Sequence, residues 1–202
     1  VRPKPRDGPI MSNLNIHNES TAPVAARAAL ETVKTANGMI PNMLGVLAEN
    51  PAALEGYLSL SRIFDTAGFT PLERRVVLLT VSIENACHFC VAAHSAASAA
   101  AKLDATVIEV LRNNQPLRDA RLEGLRMFTR RMVRQRGFVS DADVMIFLRS
   151  GWDKSAILGV ILGVAMKTIS NYTNHIAETP LNPAYKPFAW APNTCGCPGG
   201  SA

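Results

Sequence analysis

"TPLERRVVLLTVSIENACHFCVAAHS" occupies residues 70–95. Thr70, Pro71 and Glu73 mark a helix start. Thr70 is an N-cap hydroxyl, Pro71 sits where its missing N–H is harmless, and Glu73 can bond back to the cap. The apolar residues that follow carry one helix through Glu84. Asn85 can then cap a second helix, "ACHFCVAAHSAASAAAKL", whose alanines favour the helical state. Residues three and four apart share a helix face. Cys87, Cys90 and His94 therefore line up: two thiols and an imidazole within two turns.

Helical signals continue on both sides. Upstream, one helix begins at about Pro23 and closes at Gly38. A short one is entered at Pro41 and stops before Pro51. A third places Leu54, Leu58, Ser61 and Phe64 at helical spacing and ends by Gly68. Downstream, "ATVIEVLRN" follows Asp104, and an arginine-rich helix comes next. Ser140 with Asp143 opens another helix, and Asp153 caps a long apolar one reaching about Glu178. Prolines from Pro180 onward predict an extended, irregular tail. No stretch alternates with period two between turn signals. The expected fold is all-α, with about eight helices in one domain over residues 21–188. Residues 1–20 and the tail 189–202 are expected to be flexible.

With 202 residues, 48% of them apolar, the chain can bury a sizeable core. Much of the +5 net charge comes from eight arginines between Arg112 and Arg136. The expectation for this run is a solvated helix face, since no aromatic residues interleave it to stack on bases. Nucleic acid is not an expected partner. "VRPKPRDGPI" lacks the apolar stretch of a secretory leader, and Met11 is a candidate natural start. The longest apolar run, Ala156 to Met166, is too short to span a bilayer and reads as a buried helix. Gly159 and Gly163 on it let another helix approach closely. A cytoplasmic protein with no membrane partner is expected. In that setting the close pairs Cys87/Cys90 and Cys195/Cys197 point to redox or metal chemistry rather than a disulfide scaffold.

Three readings of the Cys87–Cys90–His94 face stand side by side. In a redox reading, two thiols three apart close into a disulfide with little backbone movement. A helix start favours a thiolate at Cys87, whereas His94 favours one at Cys90. The residues alone leave the nucleophile open. In a metal reading the three supply zinc ligands, with His88, His175 or the tail cysteines as a fourth. The tail pair is distant and proline-flanked, so no metal is expected. In a packing reading the thiols are small core residues, but a buried histidine then needs hydrogen-bond partners of its own.

The stretch "LERRVVLLTVSIENACHFCVAAHS" resembles the alkylhydroperoxidase D-like, carboxymuconolactone decarboxylase family, which carries C-x-x-C-x-x-x-H at a helix junction. "GMIPNMLGVLAENPAALEGYLSL" and "NYTNHIAETPLNPAY" are also similar to it, so the likeness spans roughly residues 24–188. The resemblance implies an all-helical fold assembled as homotrimers or homohexamers. It implies thiol-dependent peroxidase or disulfide-reductase activity without a cofactor. A peroxide or other small oxidant would be the substrate and an external dithiol the reductant. By the family pattern Cys90 attacks, His94 helps deprotonate it, and Cys87 resolves the sulfenic acid. The family's peroxidases also place a glutamate twelve residues before the first cysteine, where this chain has Arg75. Glu73 lies on another helix face, and Glu84 is the nearest substitute proton carrier. Phe89 replaces a histidine found just before the second cysteine. An arginine here can steady a thiolate or an anionic substrate. The decarboxylase branch of the family suggests a lyase as an alternative activity. A non-enzymatic metal-binding or redox-sensing assembly protein is the other alternative.

Overall fold

A computed structural model describes residues 14–192. Among these residues the chain is helical, with no strand: α1 (Val24–Asn37), α2 (Asn42–Leu47), α3 (Pro51–Phe64), α4 (Pro71–Glu84), α5 (His88–Ala100), α6 (Ala105–Arg112), α7 (Ala120–Arg134), α8 (Asp141–Arg149) and α9 (Lys154–Ala177). A 3-10 helix follows at Pro183–Phe188, within the segment expected to be extended. Proline at its first position presets the tight turn. The flanking segments are also docked. His17 donates its backbone N–H to Gly45 O at 3.1 Å, and Trp190 Nε1 donates to Arg112 O at 2.9 Å. These bonds tie His17 and Trp190 to the helices; residues 1–13 and 193–202, the rest of the segments expected to be flexible, lie outside the described residues.

The caps form where the side chains allow them. Thr70 with Glu73 and Ser140 with Asp143 make complete capping boxes, each cap worth about 1 kcal/mol. The α4–α5 junction differs from expectation. Asn85 does not start α5; it ends α4. Cys87 N–H donates to Ser82 O at 2.8 Å and Ala86 N–H donates to Ile83 O at 2.9 Å. This is the Schellman pattern, which satisfies carbonyls that the end of α4 would otherwise leave open. It requires a left-handed residue at Ala86, with φ +52°. Cys87 becomes the residue before α5, and Cys90 its third residue.

Helix α4 lies at the centre, against α5, α6, α7 and α9. The larger core gathers Phe64, Val77, Leu79, Leu125, Phe128, Phe147 and Met166, each large apolar side chain contributing about 1.5–3 kcal/mol by burial. A smaller core joins α1–α3 to α5 through Leu30, Met43, Leu44, Leu54 and Phe89, and contains both thiols. Asn182 binds the "GMIPN" segment across the chain. Its Oδ1 accepts from Asn42 N–H at 2.8 Å, and its Nδ2 donates to Ile40 O at 3.2 Å.

The arginine run is not a free solvated face. Arg126 is buried against Glu123, Arg131 pairs with Asp143, and Arg121 pairs with Glu73 while lying 3.7 Å over the Trp152 ring. Glu123 shares α7 with Arg126, but Asp143 and Glu73 come from other helices and are invisible in the local pattern. Among the described residues α9 alone is long and apolar enough to cross a membrane by length and composition. It is nevertheless a core helix: Lys167, Ser170, Asn171 and Asn174 are buried on it. A Cβ added at Gly163 would lie 2.7 Å from Val77 Cγ1, and one at Gly159 2.7 Å from Phe69 Cε2.

Two stability changes follow. Gly163→Val should force α9 off α4 and cost about 1–3 kcal/mol or more, seen as a lower urea midpoint. Ala86→Gly should act oppositely, relieving a left-handed alanine by about 1 kcal/mol. A higher midpoint with unchanged urea dependence is the expected readout.

Candidate functional site

The Schellman turn and the first turn of α5 bring Cys87 and Cys90 together, and α9 covers them. Both thiols are free and buried. The Asn174 Nδ2 group donates toward both sulfurs, at 3.2 Å to Cys90 Sγ and 3.7 Å to Cys87 Sγ. The Ser170 hydroxyl lies 3.8 Å from Cys90 Sγ. Burial works against ionising Cys90. Hydrogen bonding from Cys87, the charge and hydrogen bond of Lys167, and the Ser170 hydroxyl outweigh it and hold Cys90 well below the usual thiol range. Cys87 is driven the other way: it keeps its proton in the hydrogen bond to Cys90, and burial and the Cys90 charge add to this. The first-turn position, argued from sequence in favour of Cys87, belongs to Cys90.

Lys167 is buried on α9. Burial alone would strip its proton, but the facing Cys90, Tyr57 and Cys87 groups favour the ammonium and raise its pKa. The amine lies 3.0 Å from His94 Nε2, and Arg75 Nη1 lies 3.1 Å from His94 Nδ1. Burial first, then the charges of Lys167 and Arg75, push His94 well below the ordinary histidine range. The imidazole is therefore neutral near pH 7. The Tyr57 hydroxyl joins the group at Ser170, its pKa raised mainly by burial.

Of the residues singled out in the sequence, the structure brings together Cys87, Cys90, His94 and Arg75. Glu84 is elsewhere occupied: its buried carboxylate pairs with Arg130 at 2.9 Å and with Arg134, tying α4 to α7. Glu73 belongs to its capping box and to Arg121. His88 is exposed. His175 stacks with Tyr172, while Asn174, its neighbour, faces the thiols. Cys195 and Cys197 lie outside the described residues.

Lys167, Ser170, Asn174 and Tyr57 were missed. A signal existed: Lys167, Ser170 or Asn171, and Asn174 recur at helical spacing on an otherwise apolar helix. Such a polar stripe on a core helix needs partners.

The site opens into a cavity of about 850 Å³. Met39, Leu44, Leu58, Phe89 and Phe188 wall it, and Arg75, His94, Lys167 and Cys90 form its polar end. Among the described residues no three His, Cys, Asp or Glu side chains are grouped to hold a metal ion. The two cations flanking His94 also oppose a third.

No family model matches the chain, and no curated protein matches it. Solved structures do. A peroxidase-related protein from Ralstonia eutropha JMP134, described as an alkylhydroperoxidase AhpD core, superposes with a TM-score of 0.76 at 20% identity, covering 89% of this chain and 96% of that one. A peroxidase-related protein from Silicibacter sp. TM1040 gives 0.72 at 24% identity, over 92% and 97%. A cysteine-to-alanine variant of the debrominase Bmp8, in complex with 2,3,4-tribromopyrrole, gives 0.73 at 13% identity, over 87% and 95%. Near-complete coverage of both chains, with the helices in the same arrangement, shows that this chain has the all-helical alkylhydroperoxidase AhpD-like fold.

Proposed function

We propose that the chain is a thiol-dependent oxidoreductase, a peroxidase or disulfide reductase, acting through Cys90 and Cys87. The observation that carries this reading is the pair of free thiols pulled in opposite directions, Cys90 toward thiolate and Cys87 toward thiol. That asymmetry is what a nucleophile and a resolving partner need.

In the peroxidase cycle Cys90 thiolate attacks the terminal oxygen of a hydroperoxide. An S–O bond forms, the O–O bond breaks, and the alkoxide leaves to take a proton. Sulfur loses two electrons and the peroxide gains them, leaving Cys90 sulfenic acid. Cys87 then gives up its proton and attacks that sulfur. The Cys87–Cys90 disulfide forms and water leaves with the proton. An external dithiol restores both thiols by exchange and becomes a disulfide itself.

No cofactor or metal enters these steps. With Arg75 at the family's glutamate position and Glu84 engaged by two arginines, proton handling falls to Lys167 and His94. A peroxide or other small oxidant is the proposed substrate, and the cytoplasm, where reductants recycle dithiols, the proposed compartment. Exposed Leu158, Ile161 and Tyr172 on α9 support assembly as a homotrimer or homohexamer. A lyase of the decarboxylase type would not need paired thiols, so its activity would survive in a Cys87→Ala/Cys90→Ala variant.

Cys90→Ser should abolish peroxide consumption. Cys87→Ser should leave a sulfenic acid that dimedone traps and mass spectrometry locates at Cys90. Full turnover in both variants would sink the assignment.

The lowered Cys90 pKa also sets a pH profile. Alkylation of Cys90 by iodoacetamide should remain fast below the ordinary thiol range and fall only as pH drops through its own depressed value. Lys167→Met removes a charge-assisted hydrogen bond worth about 1.5–3 kcal/mol. Its alkylation rate at neutral pH should fall about tenfold or more, with the limb moved to higher pH. An unshifted limb would exclude Lys167 as the stabilising cation.

A further inference from the structure

Two features of the cavity are not used by the dithiol cycle. The first is Arg75. Its guanidinium lines the polar end of a largely apolar cavity and forms no ion pair among the described residues; the neighbouring Asp65 pairs with Arg74 at 3.2 Å. With Lys167 it makes two cations against one thiolate, so the cavity carries a net positive charge. An unneutralised cation in an apolar pocket is costly unless an anion visits it.

The second feature is a proton count. Arg75 keeps its proton at any physiological pH, and neutral His94 bears one hydrogen shared between two ring nitrogens. Arg75 approaches Nδ1 and Lys167 approaches Nε2. If Nδ1 accepts from Arg75, then Nε2 carries the hydrogen and Lys167 must be a neutral amine. If Lys167 is an ammonium donating to Nε2, then Nδ1–H points at the guanidinium, and Arg75 needs another acceptor. The facing Cys90 thiolate and Lys167 ammonium select the second, which leaves the Arg75 guanidinium without an acceptor at His94.

We propose that this cavity takes a small apolar organic acid, whose carboxylate is gripped by Arg75 while its apolar body lies against Met39, Leu44, Leu58 and Phe188. The fork of Arg75 suits a carboxylate, and the volume suits a body of drug-like size. Binding draws Arg75 off His94 Nδ1. Joined to the peroxidase reading, the substrate class is a carboxylated organic hydroperoxide rather than hydrogen peroxide. Carboxylate binding itself does not rest on that reading.

Octanoate and octanol, which share an apolar body and carry no oxidant, test the proposal by calorimetry on the full-length protein. Octanoate should bind about tenfold or more tighter than octanol, as a charge-assisted contact requires. Arg75→Gln should erase the difference, and Arg75→Lys should retain part of it. Circular dichroism identifies folded variants. Equal binding of the two probes to the wild type, or a preference that survives in folded Arg75→Gln, overturns the proposal. These readouts need no turnover. A failed peroxidase assay with intact octanoate selectivity would therefore refute the activity and leave the binding site standing.

Discussion

The site depends on how closely α9 can approach α4. Gly159 and Gly163 present no side chains at the crossing, so Phe69, Phe64 and Val77 pack directly against the α9 backbone. With α9 seated there, its next turns carry Lys167, Ser170, Asn171 and Asn174 over the start of α5. Asn171 receives the Asn85 amide at the end of α4, and Asn174 reaches both sulfurs. A methyl group at either glycine would lie 2.7 Å from Phe69 or Val77, too close for the helices to keep this approach. The small residues on this helix are thus the condition for polar residues further along it to work.

Burying a lysine is costly, because an ammonium removed from water loses several kcal/mol of solvation. Here Lys167 faces Cys90, and the two groups stabilise each other's charged forms against burial that opposes both. The same burial keeps His94 neutral between two cations. Charge in this core is therefore shared, and moving one proton changes the preferred state of several groups. The α4–α5 turn adds direction. Its left-handed Ala86 sets Cys87 outside α5 and Cys90 within the first turn, where helix N–H groups favour a thiolate.

On the far side of α4 the arginines hold the scaffold together. Glu84 is taken by Arg130 and Arg134, Glu73 by Arg121, and Asp143 by Arg131. Acids near the dithiol in sequence thus turn toward α7. The polar end of the cavity is left with Arg75, Lys167 and a neutral histidine, which explains its positive character.

The sequence by itself determined what is local. Capping residues set the starts of α4 and α8, helical spacing put Cys90 and His94 on one face of α5, and paired glycines marked the close crossing of α9. These follow from backbone hydrogen bonding and periodicity within a few residues. Tertiary structure decided what depends on partners distant in the chain. It ended α4 with Asn85, folded Pro183–Phe188 into a 3-10 turn, and placed Lys167 against His94 and Cys90 and Asn174 against both thiols, groups distant in the chain. It also gave Glu84 to two arginines and left Arg75 facing the cavity without an acid. Burial and charge pairing shift proton affinities only once the helices are packed, so the spacing of the two thiols is local while their proton affinities are set by distant neighbours.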